Sequence, residues 1–136
     1  MSGLGQAPPS SLLDFAWRTA FRLGFPLARI WWRLLRPRHQ GALVAVYVGR
    51  ALRLVRSSYR VEWSFPGGSV RRGETPEAAA RRELAEEIGL AASPLLAAGG
   101  ACGIWDGRRD RGHFFELRLD QLPKLQLDNR EIIAAR

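Results

Sequence analysis

The chain has 136 residues, which is enough for one domain with a buried core and too short for two ordinary domains. Hydrophobic residues make up 46% of it and charged residues 25%, values that argue against a disordered, collagen-like or membrane-spanning chain. The formal net charge of +8 comes almost entirely from arginine, and the single cysteine, Cys102, excludes an intramolecular disulfide and favours a reducing, cytoplasmic location.

The charges are unevenly distributed along the chain. Residues 1–61 contain ten arginines and one acid, Asp14, whereas five of the 13 acids lie between Glu74 and Glu87. This pattern indicates a localised acidic site in an otherwise basic protein.

The N-terminal part of the chain predicts a leader followed by a helix. Residues 1–10 are small, polar and proline-bearing, so we expect a flexible leader there. In residues 11–36, apolar residues recur at helical spacing beside a stripe of arginines, which is typical of a basic amphipathic helix. Pro26 is expected to break or kink this segment into two helices. The apolar positions are Leu13, Trp17, Phe21, Leu27, Trp31 and Leu34, and the arginines are Arg18, Arg22, Arg29, Arg33 and Arg36.

Several roles are open for this helix. Its arginines argue against a transmembrane span and against a secretory signal. It could pack against the domain or a homodimer partner, lie at the periphery of an anionic membrane, or act as an organelle transit peptide. We assign residues 1–38 to the leader and helix, and residues 39–136 to the globular domain.

Strand patterns begin after Pro37. Residues 41–48 and 51–56 predict two strands joined by a tight turn at Gly49-Arg50, and residues 61–68 predict a short strand ending at two glycines. A helix is expected from Pro76 to Ile88, because Thr75 is a good N-cap and Gly89 supplies a C-terminal stop.

The C-terminal third predicts two more strands and a last helix. The strands cover residues 95–105 and 112–119, on either side of a charged turn at residues 106–111. Asp128 to Glu131 resembles a capping box that opens a helix. That helix would be short, or the chain would be truncated at its C-terminus, because the sequence stops at Arg136.

The chemistry concentrates on the helix from Pro76 to Ile88. Glu86 and Glu87 lie three and four residues after Glu83, so the three glutamates share one face of the helix. Their mutual repulsion indicates that a positively charged group binds there. Carboxylate oxygens suit Mg²⁺ or Mn²⁺, and no cysteine or histidine cluster in the sequence competes as a metal site.

The spacing around these glutamates resembles the motif of the Nudix hydrolase family, the Nudix box. The matching residues are Gly68, then after five residues Glu74, then after seven residues Arg82-Glu83-Leu84, then after one residue Glu86-Glu87, and after one more Gly89-Leu90. The approach from Trp63 to Gly68 is also similar to that family, and the resemblance extends over roughly residues 41–134.

This resemblance implies an α/β/α sandwich with a mixed sheet and an enzyme that hydrolyses nucleoside diphosphates linked to another moiety. Glu83, Glu86 and Glu87 correspond to the metal-binding glutamates, together with the carbonyl of Gly67 or Gly68. Glu83 or Glu86 would orient or deprotonate the attacking water. Two further residues, Glu74 and Arg82, correspond to positions that brace the box.

Residues outside the box complete the expected site. Phosphate contacts are expected from Arg56, Arg60 and the cluster Arg108, Arg109 and Arg111. Base stacking is a candidate role for Trp63, Trp105 and Phe114, and an additional acid is a candidate role for Glu116 and Glu131. His39 and His113 are given no role.

The sequence therefore predicts a Mg²⁺-dependent pyrophosphohydrolase acting on a nucleotide sugar, ADP-ribose, a dinucleotide or a nucleoside triphosphate. The alternative is a non-hydrolytic module of the same fold that senses a nucleotide or binds RNA. The complete set of box glutamates favours the enzyme. Nucleic acid is not expected as a partner, because no recognisable RNA-binding motif accompanies the positive charge.

Overall fold

A computed structural model describes residues 11–35, 37–91 and 94–136. The predicted leader at residues 1–10 and the predicted helical residue Arg36 lie outside this range. The elements in chain order are α1 (Leu12–Leu35), β1 (Arg38–Val48), β2 (Ala51–Arg53), β3 (Val55–Ser57), β4 (Gly67–Ser69), α2 (Pro76–Ile88), β5 (Leu96–Trp105), β6 (Arg108–Leu119) and β7 (Ile132–Ala135).

The larger sheet is mixed, as predicted. Its order is β2-β1-β6-β5, and β4 also pairs with β1. Strands β1 and β6 run parallel along their whole length, whereas β2 and β4 are antiparallel to β1, and β5 is antiparallel to β6. A second, two-stranded sheet joins β3 to β7.

The strands between residues 51 and 69 differ from the predicted ones. The turn at Gly49-Arg50 is confirmed, with Gly49 at a φ of 59°. The strand predicted over residues 51–56 divides at Leu54 into β2 and β3. The backbone of Leu54 forms hydrogen bonds with that of Arg136, so β3 belongs to the second sheet. Of the strand predicted over residues 61–68, only its last two residues fall in β4.

Helix α2 forms where it was predicted, because its capping residues act as expected. The Thr75 hydroxyl accepts a hydrogen bond from the Ala78 amide at 3.1 Å, and Gly89 adopts a left-handed conformation that ends the helix. The apolar side of α2 is buried against alternate residues of β1 and β6, and this packing forms the core. Its central members are Ala42, Val44, Val46, Ala80, Leu84, Ile88, Phe115 and Leu117.

Helix α1 runs unbroken from Leu12 to Leu35, so the predicted division into two helices at Pro26 is wrong. Contacts with the rest of the chain hold it on both sides of the proline. Arg18 bonds to Asn129 on one side, and on the other the Arg29 guanidinium lies 3.3 Å from the Asp106 carboxylate. These contacts offset the amide hydrogen bond that proline removes.

The orientation of α1 places arginines against the domain. Arg18 is buried, whereas Leu23, Leu27 and Leu34 are exposed on the opposite side of the helix. No helix within the described residues combines the length and the apolarity needed to cross a bilayer. The homodimer and the peripheral membrane contact stay predictions.

The predicted last helix is wrong, because the chain forms β7 at that point. The Asp128 carboxylate accepts hydrogen bonds from the amides of Arg130, Glu131 and Ile132, as a helix N-cap would. Asn129, however, has a φ of 63°, which interrupts a right-handed helix. Ile132 then pairs with β3 in a fully buried strand.

Candidate active site

A cavity of about 790 Å³ lies beside the larger sheet, and several elements contribute to its walls. Side chains alternate between the two faces of a strand, so one face of β1 and β6 belongs to the core and the other faces the cavity. The residues of these two strands that line it are His39, Gly41, Leu43, Arg108, Asp110, Gly112 and Phe114.

The three glutamates predicted from the box reach this cavity together. Glu83, Glu86 and Glu87 all line it, beside Gly67 and Gly68 of β4. Gly68 leaves room for a carboxylate, because a Cβ there would lie 2.5 Å from Oε1 of Glu83. Gly68 thus lets Glu83 on the acidic face of α2 lie against β4.

Glu87 is the most deeply placed of the three. It is 5% exposed, and one of its carboxylate oxygens accepts a hydrogen bond from the Gly67 amide at 3.0 Å. Burial, together with the negative charges of Glu83, Glu131 and Asp128, raises the pKa of Glu87 to about 9. The ionised form of Glu87 is therefore disfavoured unless a positive charge lies beside it.

Arg82 and Glu74 brace the loop between β4 and α2. Two guanidinium nitrogens of Arg82 donate to the two oxygens of Glu74, at 2.9 and 3.0 Å, and one also donates to the Ser69 carbonyl. The hydrogen bonds from Arg82 and from the Arg71 amide lower the pKa of Glu74 to about 2. The bidentate contact between Arg82 and Glu74 therefore holds the loop between β4 and α2 in a fixed geometry.

Arg82 also pairs with the carboxylates of the cavity. Its third nitrogen lies 2.6 Å from Glu83 and 3.3 Å from Glu86, while Glu87 is held by Gly67. As a result, no three acidic, histidine or cysteine side chains within residues 11–35, 37–91 and 94–136 are already gathered around one metal position.

The residues nevertheless fit Mg²⁺ by their chemistry. They offer carboxylate and carbonyl oxygens, which is the donor set this cation prefers, and a cation there would favour the ionised form of Glu87. The Glu83 carboxylate lies against the backbone of Gly68, in the space that the side chain of any larger residue would occupy.

The other predicted site residues divide into two groups. Arg60, Arg108, Trp105, Phe114 and Glu131 line the cavity, and Arg56, Arg109, Arg111, Trp63 and Glu116 do not. The Trp63 ring instead contacts the guanidinium groups of Arg56 and Arg136, which lie 5.5 and 4.2 Å from its centre. Glu116 pairs with Arg118 at 3.1 Å.

Of the two acids predicted from outside the box, Glu131 lines the cavity and Glu116 does not. Its carboxylate accepts a hydrogen bond from the Tyr59 hydroxyl at 2.9 Å. Burial is the main cause of a raised pKa at Glu131, and nearby carboxylates add to it. The capping interpretation of Glu131 fails together with the last helix.

Several cavity residues were not expected from the sequence. The His39 ring links Asp110 and Ser69, at 3.0 and 2.7 Å. Phe25 and Trp32 of α1 also line the cavity. A signal for these two was present, since they follow Arg18 at intervals of seven residues on the inward side of the helix.

Known proteins resemble this chain in both sequence and fold. The family model described as the NUDIX domain matches residues 37–136. The chain is 45% identical over 71 residues to the MutT4 protein of Mycobacterium tuberculosis, covering 50% of this chain and 27% of that protein. It is 52% identical over 40 residues to an 8-oxo-dGTP diphosphatase of Haemophilus influenzae, covering 29% of each. The chain thus spans little more than a quarter of the curated relatives it matches.

The fold has close counterparts among solved structures. The MutT protein of Methanosarcina mazei superimposes with a TM-score of 0.66 over 75% of this chain and 77% of that chain, at 20% identity. At this identity, the match bears on the fold alone.

Proposed function

The chain belongs to the Nudix family, and on this basis we propose that it is a Mg²⁺-dependent pyrophosphohydrolase acting on a nucleoside diphosphate linked to another group. One observation carries the proposal: the box glutamates and the Gly67-Gly68 backbone meet at the wall of a cavity large enough for a nucleotide. The names of relatives, such as 8-oxo-dGTP diphosphatase, support the same chemical class.

Glu83, Glu86 and Glu87 would hold the metal, with a carbonyl of Gly67 or Gly68. When bound, Mg²⁺ would neutralise charge on the diphosphate and favour attack by water at phosphorus. The side chains of Glu83 and Glu86 would have to leave Arg82, which now pairs with both.

The chain's own groups would perform the remaining steps. Glu83 or Glu86 would orient the attacking water and accept its proton. Arg60 and Arg108, which line the same cavity, would bind the negative oxygens of the substrate. The new bond joins the water oxygen to phosphorus, the bridging phosphorus–oxygen bond breaks, and two phosphate-bearing products leave.

A substrate panel assayed with and without Mg²⁺ tests this proposal. We expect hydrolysis of at least one compound among 8-oxo-dGTP, dGTP, ADP-ribose, a nucleotide sugar and a dinucleoside polyphosphate. Products separated by chromatography should show cleavage between two phosphorus atoms, and chelation of the metal should abolish it.

Two other results would speak against the enzyme. Cleavage that persists at the same rate in excess chelator would contradict the assigned role of the glutamates. Tight binding of a nucleotide by calorimetry, without any turnover on the whole panel, would instead support the non-hydrolytic module.

A further inference from the structure

We propose that α1 forms the substrate-specificity wall of the cavity and that Trp32, layered with Arg108, contacts the nucleobase. The inference rests on the proposed function, because it assigns the part of the nucleotide beyond the diphosphate. It concerns a helix that begins 25 residues before the matched Nudix domain, so the box residues alone do not imply it.

The first step is that α1 is docked at the cavity rather than merely tethered near it. Arg22 donates to the Ser58 carbonyl at 3.0 Å, and Arg29 pairs with Asp106 in the turn before β6. The Phe25 ring lies 4.9 Å from that of Tyr59. The helix therefore contacts Tyr59 and Asp106, which both line the cavity.

The second step is that the box glutamates and Arg108 lie at different ends of the cavity, which Asp106 and Asp110 also line. The box end is at Gly112, which pairs with Gly41, and Gly41 pairs with Ser69 of β4. Arg108 begins the same strand, four residues earlier, which at ~3.3 Å per residue places it roughly 13 Å from that end. A nucleoside attached to a diphosphate fills a span of this size.

The third step is that the distal end offers a planar surface. The Arg108 guanidinium lies 3.9 Å from the centre of the Trp32 ring. Aromatic rings and guanidinium planes both stack on bases.

Trp31 and Trp32 provide a matched pair for the test. Both are tryptophans on α1, but Trp32 lines the cavity and Trp31 is 61% exposed. We expect Trp32→Ala to weaken the binding of ADP and GDP by about tenfold in titration calorimetry with Mg²⁺, and Trp31→Ala to leave it unchanged. The affinity for inorganic pyrophosphate, which has no base, should be the same in both variants.

Further outcomes decide whether Trp32 contacts the base or only supports the helix. Trp32→Leu keeps an apolar side chain but no aromatic face, so it should lose nucleotide affinity as Trp32→Ala does. Wild-type affinity in Trp32→Leu, an equal loss of pyrophosphate binding, or no binding of ADP and GDP by the wild type would each overturn the inference. Circular dichroism and thermal unfolding check that the variants keep their fold.

These measurements separate the inference from the proposed function. If no compound of the substrate panel is hydrolysed but nucleotide binding still depends on the base and on Trp32, only the proposed hydrolase activity is contradicted. Conversely, turnover that is indifferent to Trp32, with ADP and GDP bound equally by both variants, removes only the role of α1.

Discussion

Replacing Glu83 with Gln is expected to lower kcat/KM by about 10³-fold while the protein stays folded. The substitution keeps the size of the side chain but removes its negative charge. The Glu83 side chain is 13% exposed and lies against Gly68. Glu86→Gln should also cause a large loss. Its carboxylate is 52% exposed, so this variant carries less risk to folding.

The measurement is steady-state turnover of the best panel substrate over a range of Mg²⁺ concentrations. Glu77→Gln is the matched control, because Glu77 lies on the same helix and pairs with Arg81 at the exposed surface, away from the cavity. It should keep wild-type turnover. Glu83→Gln with activity close to that of Glu77→Gln would remove Glu83 from the mechanism.

The elements that could be predicted from sequence are those specified by nearby residues. Helix α2 depends on Thr75 and Gly89, which cap it directly, and the turn after β1 depends on a glycine at its first central position. The five-residue loop between Gly68 and Glu74 and the helical spacing of the glutamates likewise lie within one short segment. Local rules are sufficient for all of these.

Pairing between distant segments decided the elements that were predicted wrongly. Asp128 gives the same local signal in a helix cap and in the turn that precedes β7, and the left-handed Asn129 and the antiparallel pairing of Ile132 with β3 distinguish them. Likewise, Pro26 signals a break, but docking on both sides of it keeps α1 continuous. Tertiary contacts override local preference in both places.

The candidate site divides in the same way. The box glutamates share one helix, so their meeting could be predicted, whereas Glu131 and Trp32 join them only through the fold. Arg108 and Arg109 are neighbours in sequence, but they point to opposite faces of β6 and only Arg108 lines the cavity. Choosing between them requires the register of the strand.

Gly68→Ala is expected to lower turnover by about 10²-fold, although it alters no charged or polar side chain. A Cβ at this position would lie 2.5 Å from Oε1 and 2.6 Å from the carboxyl carbon of Glu83, so the carboxylate must move. We therefore expect a higher Mg²⁺ concentration for half-maximal activity. Gly24→Ala is the control, because nothing lies within 4 Å of a Cβ there and alanine suits a helix better than glycine.

The double variant Gly68→Ala with Glu83→Gln shows whether the added methyl group acts through Glu83. If it does, the two effects overlap, and the double variant should be no less active than Glu83→Gln alone. Losses that multiply would show that the methyl group disturbs something else, such as the backbone pairing of β4 with β1. The same kinetic assay over a range of Mg²⁺ concentrations, applied to all four proteins of the cycle, distinguishes the two results and assigns the need for glycine to the carboxylate beside it.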